Sequence, residues 1–312
     1  MQAVFPSLLL QAPLRHRECW SRWILGSHSD QFLPEMIQAV EHLDREDPIA
    51  YGRPLLAPGP SADDLLVVTT ERGRHCMVVD RELPIRVVLL DVTGLGFEVE
   101  ANPWGWEQVS VPCEGMGDVV DLVWRYFMPD RDDSYVGILC DDVMFKASDI
   151  YLLLAMARMH RLSAIQPAVA RNHELSVEYG FLRQRSCVSM HRVPLVEVMA
   201  PFVRRDLFAL ALPFNRGTRS AYGLDRFALP LCAFHLDAWR FAAIDLTPMT
   251  HIRRGRTIDR RYSNGLFSKE EELLVRYRLM RSMGYSLDQD RYQQLEAAVE
   301  ALMDGQTSAP SP

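Results

Sequence analysis

Asp141 and Asp142 close a short apolar run, YVGILC, over residues 135–140. Six such residues bounded by charge read as a buried strand, which puts both acids at its C-terminal edge. Open α/β sheets bind their ligands at that edge. Adjacent carboxylates repel unless something positive lies between or beside them. Mg²⁺ and Mn²⁺ prefer oxygen ligands and often bridge to phosphate, so the pair points to a metal–diphosphate site. An acidic turn after a strand is the competing reading.

Two further positions carry chemistry. Asp225 ends the run Tyr222, Gly223, Leu224, Asp225, after a polar loop over 215–220. It reads either as the cap of a helix over 226–234 or as a carboxylate facing an acceptor hydroxyl, a hydrogen-bond acceptor or general base. His251 follows a short strand expected over 242–246. A neutral imidazole suits Mn²⁺ beside carboxylates. Arg253, Arg254 and Arg256 nearby could neutralise a departing diphosphate. A solvated basic loop with a surface histidine is the alternative there. Trp104 and Trp106 read as packing aromatics more readily than as a stacking platform. Gly94 and Gly96 lack the third glycine and the helix of a dinucleotide fingerprint.

The elements that must position these residues alternate. Strands are expected over 65–70, 85–92 and 108–112, then a helix over 117–127, then the strand that ends on the acids. A helix over 148–160 follows, with Ser148 as its N-cap. Extended segments over 164–168 and 194–201 come next, then a helix over 204–212 ended by Pro213. This alternation describes a mostly parallel sheet. Residues 1–60 form an N-terminal appendage with a helix over 32–43, closed by a Pro/Gly linker. Two amphipathic helices over 268–283 and 287–303 form a C-terminal segment, with Ser268 and Glu271 as a capping box, and 305–312 read as a disordered tail.

Composition limits the partners. The chain has 312 residues, 48% hydrophobic and 24% charged, with a net charge of −7. This is globular composition, and the negative balance argues against a nucleic-acid surface. No apolar run reaches the roughly 20 residues of a membrane span. The apolar stretch over 4–10 lacks the flanks of a signal peptide. Six scattered cysteines without a CxxC pair describe a reduced, cytoplasmic chain.

The order of the motifs matters most: DDV at 141–143, QPA at 166–168, EVMAP at 197–201, YGLD at 222–225, then Ile244, Asp245 and His251. Over residues 62–255 this order resembles the GT-A type nucleotide-diphospho-sugar transferases, and in particular a plant and bacterial branch with similar motifs. The resemblance implies a GT-A-like, Rossmann-type α/β fold with a mixed sheet flanked by helices, over 61–256. It implies a metal-dependent glycosyltransferase that uses a nucleotide-sugar donor, Mn²⁺ or Mg²⁺, and an unidentified glycan, lipid or protein acceptor. Val68, Thr69 and Thr70 would line the nucleotide pocket. Asp142 would contact the metal and Asp141 the ribose or a metal-bound water. His251 would complete the metal site, Arg253 or Arg254 would assist the diphosphate, and Asp225 would lie in the acceptor pocket. The family's acidic motif usually reads D-x-D, whereas this chain has Asp141 and Asp142 adjacent. A GT-A-like scaffold without transfer activity is therefore the rival reading. A two-metal phosphohydrolase would need further clustered His and Asp, which the sequence lacks. The C-terminal helices could cap the site, pair two chains into a homo-oligomer, or touch a membrane; folding onto the core is the default.

Overall fold

The computed structural model describes residues 37–38, 40, 59–171, 177–236, 238–252 and 260–306. Among the described residues, nine strands form a mixed sheet flanked by helices. They are β1 (Leu65–Thr70), β2 (Arg86–Asp91), β3 (Glu107–Ser110), β4 (Tyr135–Leu139), β5 (Val143–Met144), β6 (Ala164–Val169), β7 (Met190–Arg192), β8 (Phe202–Arg204) and β9 (Phe241–His251). The sheet order is β3-β2-β1-β4-β8-β6-β9-β5, with β7 pairing β9. β1 pairs in parallel with both β2 and β4, and β2 with β3. β8 runs antiparallel to β4 and β6, while β6 and β9 are parallel.

β1 and β4 are buried at every position. That is why they read as continuous apolar runs: strands covered by helices on both faces have no solvent side to mark with polar residues. Gly137 in β4 belongs to this packing. A Cβ there would come within 2.6 Å of the Phe202 ring, which lies across it from β8.

The helices are α1 (Met116–Leu122), α2 (Ala147–Met159), α3 (Arg205–Asn215), α4 (Leu229–His235), α5 (Ser268–Ser282) and α6 (Gln289–Gln306). π-helical turns extend α1 through Val123–Phe127 and precede α4 over Leu224–Ala228. α5 joins the main core through Val275, Leu279 and Met280, and packs a second small cluster with α6 through Leu274, Tyr292, Leu295 and Val299. Among the described residues, no helix is long and apolar enough to cross a membrane.

Several local expectations shift. α2 begins one residue before Ser148, and its first-turn donors are satisfied from outside: Asp80 accepts bonds from Ser148 N (2.9 Å) and Oγ (2.6 Å). α5 likewise begins at Ser268, with Phe267 at the N-cap position, where Phe267 N donates to Glu270 Oε2 at 3.1 Å and no side chain caps the helix. Glu271 is thereby released for another role. Pro213 lies inside the end of α3, where one missing donor leaves the earlier turns intact. Residues 194–201 form no strand. Ala200 N donates to Glu197 O at 3.4 Å, and the segment turns before β8. β9 continues past the expected five residues and carries His251 at its end. Of the N-terminal helix expected over 32–43, the described residues 37, 38 and 40 are helical, and Val40 is buried in the core. The rest of that segment, and residues 307–312 of the expected tail, lie outside the described residues.

Candidate functional site

The chain runs from β1 to β2 and β3 on one side, then returns to place β4 on the other. In open α/β sheets such a reversal opens a ligand crevice beyond the carboxyl ends of the strands, here β1 and β4. The two strand ends are tied together there. Asp141 N donates to Thr69 Oγ1 at 2.9 Å, and Asp141 O accepts from Cys76 N at 2.8 Å. The backbone of the first acid is thus held from both sides. Thr70 keeps a buried hydroxyl with no hydrogen-bond partner among the described residues. Of the residues expected to bind nucleotide, Asp141 is partly exposed, whereas Thr69 and Thr70 are buried at the end of β1 and the Val68 side chain is sealed in the core.

Asp142 meets His251 through sheet register. β5 pairs antiparallel with the end of β9, with Val143 opposite His251 and Ile252 N donating to Asp142 O at 2.8 Å. The side chains then come together, His251 Nε2 at 3.0 Å from Asp142 Oδ2. Both are partly exposed, 18% for the Asp142 side chain and 30% for His251. The bond to Asp142 raises the His251 pKa above its ordinary value, against the effect of burial.

Asp225 sits in the π-helical turn that precedes α4. π-turns are costly and are frequent at functional sites. Gly223 caps this turn with φ +91°, and a Cβ there would lie 3.0 Å from Val275 Cβ on α5. The YGLD glycine is therefore required both by the left-handed backbone and by the close approach of α5. Asp225 is buried, and its Oδ1 accepts from Arg226 N at 2.8 Å. Burial pushes its carboxyl up to about 6; Arg226 opposes this and Glu272 adds to it. The Arg226 guanidinium donates to Tyr179 Oη from Nε (3.0 Å) and Nη2 (2.9 Å) and lies 3.6 Å from Glu272.

α5 thus supplies part of the site. Glu272 faces Arg226, and the fully buried Glu271 organises the polar loop before YGLD. Glu271 accepts from Arg219 N (2.8 Å), Ser220 N (2.7 Å) and Asn264 Nδ2 (2.6 Å), and also from Ser220 Oγ. In the sequence, Glu271 carries only the signal of a capping residue, so nothing marked it as a partner of a loop some 50 residues earlier.

Glu197 is the acid that motif reading passes over. The segment after it runs beside β4 in register: Ile138 N donates to Pro201 O, and Cys140 N to Met199 O, both at 3.0 Å. Two residues further along each chain stand Asp142 and Glu197. Gln166, wholly buried at β6, holds Glu197 in place by accepting from its N at 2.6 Å. Glu197 Oε2 is buried with no hydrogen-bond partner among the described residues. Burial and then Asp225 push its carboxyl up to about 7, while His251 and Arg226 pull it back. The neighbouring Cys140 thiol is raised by burial, then by Asp142, Asp141 and Glu197. The available signal was an acid set inside an apolar run between two prolines, an expensive placement unless the acid has work to do.

The structure therefore brings Asp141, Asp142, His251, Glu197 and Asp225 to one end of the sheet. Arg253, Arg254 and Arg256 lie outside the described residues. No three His, Cys, Asp or Glu side chains converge as a ready-made cation site among the described residues. The Asp142 oxygen and His251 nitrogen are nevertheless a donor set that suits Mn²⁺. Ions of this class often use one or two protein ligands and complete their shell with phosphate and water, so this pair fits such an ion.

No protein-family model and no curated protein sequence matches the chain. Structural comparison aligns 99% of it with 88% of a mannosyltransferase, PcManGT from Pyrobaculum calidifontis, in complex with GDP-Man and Mn²⁺, at 12% identity and a TM-score of 0.44. It aligns 78% of the chain with 56% of GalNAc-T7 with UDP, GalNAc and Mn²⁺, at 10% identity and a TM-score of 0.42. The chain thus spans little more than half of GalNAc-T7. At this level of likeness, the functional reading rests on the chain's own residues.

Proposed function

We propose that this protein is a GT-A-like glycosyltransferase that moves a sugar from a nucleotide-diphosphate donor to an acceptor hydroxyl. The observation that carries this reading is the meeting of Asp142 Oδ2 and His251 Nε2, 3.0 Å apart, beside the β1/β4 crevice. An oxygen and a nitrogen ligand are presented where a diphosphate would enter. The motif order DDV, QPA, EVMAP, YGLD and late His supports the same reading.

In this reading Asp142 and His251 would hold Mn²⁺ or Mg²⁺, and Asp141 would face the ribose or a water on the ion. The bound ion supplies charge neutralisation for the leaving diphosphate. Thr69 and Thr70 form the nucleotide side of the crevice, and Arg253 or Arg254 assists the diphosphate. In a transfer that inverts the anomeric carbon, Asp225 receives the proton of the acceptor hydroxyl as the hydroxyl oxygen attacks that carbon and the bond from the carbon to the diphosphate oxygen breaks. A carboxyl raised to about 6 is a stronger base than an exposed aspartate and is still mostly ionised at neutral pH. The acceptor is a glycan, lipid or protein.

A second reading is favoured by one observation: the described residues do not preform a three-ligand cluster. In it, the chain keeps the scaffold and binds a partner without transfer, since fold alone does not carry activity.

Calorimetric titration of UDP and GDP, with and without Mn²⁺, separates the two. Metal-dependent binding of one nucleotide by the wild type, lost in Asp142→Ala, supports the transferase site. A folded wild type that binds neither nucleotide overturns it in favour of the non-catalytic scaffold.

A further inference from the structure

Glu197 lies within electrostatic reach of both halves of the proposed site, His251 and Asp225. The β4-side ladder brings it level with Asp142, and Gln166 fixes its backbone from β6. Its Oε2 is the feature that calls for an explanation. A carboxylate oxygen removed from water without a donor is costly, and buried polar atoms in native proteins almost always find partners. The surrounding acids cannot supply one while ionised. The nearby cation, Arg226, directs its Nε and Nη2 to Tyr179. A donor group from a bound molecule would complete the arrangement.

Position identifies that molecule. In the proposed site, the diphosphate lies at Asp142 and His251 and the acceptor at Asp225. The group that spans the two is the sugar in transfer, which presents hydroxyl donors. We propose that Glu197 is a sugar-binding residue whose Oε2 accepts a hydrogen bond from a hydroxyl of the transferred sugar, so that it selects the sugar and not the nucleotide. This inference rests on the glycosyltransferase reading.

A sugar contact and a nucleotide contact differ in what they predict. A residue that touches only the sugar leaves the affinity for the bare diphosphate unchanged and removes the increment contributed by the sugar. The test is calorimetry in Mn²⁺ with UDP, GDP, UDP-glucose, UDP-N-acetylglucosamine and GDP-mannose, on wild type, Glu197→Ala and Glu197→Gln. Thermal melts accompany it to establish folding. If Glu197→Ala fails to fold, Glu197→Gln, which preserves shape, carries the test.

The wild type is expected to bind at least one of these nucleotide sugars about tenfold more tightly than the matching diphosphate, the scale of one hydrogen bond to a charged group. Glu197→Ala abolishes that increment and Glu197→Gln reduces it, while UDP or GDP affinity stays within about twofold. Variants that keep the full increment overturn the inference. So does a wild type that binds a diphosphate but gains nothing from any of the three sugars. A wild type that binds no nucleotide fails the site reading as a whole, which distinguishes that failure from the failure of Glu197.

Discussion

His251 Nε2 lies 3.0 Å from Asp142 Oδ2 although the two residues are 109 positions apart. Their meeting follows from one short antiparallel pairing, in which β5 lies on the end of β9. Each residue adjoins or belongs to a paired strand, so the contact is built into the sheet and does not depend on a loop.

The first prediction concerns this pair. With Mn²⁺ and the nucleotide it binds, the wild type should gain thermal stability by mass action, roughly 2.7 kcal/mol at a hundredfold excess over Kd. Asp142→Ala and His251→Ala should each lose that gain, and the double variant should lose no more than either alone, because the two act on one ligand. Differential scanning fluorimetry with and without EDTA checks it. Gains from the two residues that add independently would show that they do not share an ion.

The second prediction follows from Glu197 and Asp225, whose carboxyls are pushed up to about 7 and about 6. In the unfolded chain both titrate near 4. The folded state therefore binds protons more tightly than the unfolded state. Their contribution to stability is fully present below about pH 4 and is lost as pH rises through about 6 and 7. Replacing Glu197 by Gln removes a charge whose burial the nearby His251 and Arg226 only partly offset. Glu197→Gln should raise Tm at pH 8 relative to wild type, and the difference should shrink towards pH 4. Melts across that range measure it. A Tm difference independent of pH would mean that the Glu197 carboxyl does not titrate differently in the folded chain.

The third prediction tests the YGLD turn. Gly223→Ala forces a side chain onto a backbone with φ +91° and to within 3.0 Å of Val275 Cβ. Strain at such a position costs about 1–3 kcal/mol. Urea denaturation should show a loss of that size. Val275→Ala in the same chain removes Cγ1, which the new Cβ would meet at 3.2 Å, but keeps Cβ at 3.0 Å, so it should restore only a small part of the loss. Rescue would show that α5 sets the geometry of the turn that carries Asp225.

The central strands were legible because they are buried on both faces, so β1 and β4 show as unbroken apolar runs that end in polar residues. Asp141, Asp142 and Asp225 stood out as acids at the edges of such runs. What the sequence hid was set by long-range pairing. His251 read as a loop residue because polar Thr247 and Thr250 interrupt the apolar pattern, yet β9 continues to pair through them. Glu197 read as punctuation between prolines, because its importance comes from neighbours on β4, β6 and the YGLD turn. Glu271 read as a helix cap, and only the packing of α5 against the core turns it towards the loop at 219–220.

The last prediction concerns that loop. Glu271 is wholly buried and accepts from two backbone N–H groups, a hydroxyl and the Asn264 amide. Glu271→Ala would leave those donors buried without an acceptor, and each unsatisfied donor costs about 1–3 kcal/mol. Glu271→Gln would keep one amide oxygen as an acceptor, but its NH₂ would confront donors, so it should recover only part of the loss. The expected order of stability is wild type, Gln, then Ala, measured by chemical denaturation. The loop leads directly into Gly223 and Asp225. In folded Glu271→Gln, nucleotide binding in Mn²⁺ should therefore stay close to wild type, since the Asp142–His251 pair is built on other strands, while turnover on an acceptor should fall with the displaced Asp225. Equal losses in both would place Glu271 in general folding and not in the positioning of the acceptor side.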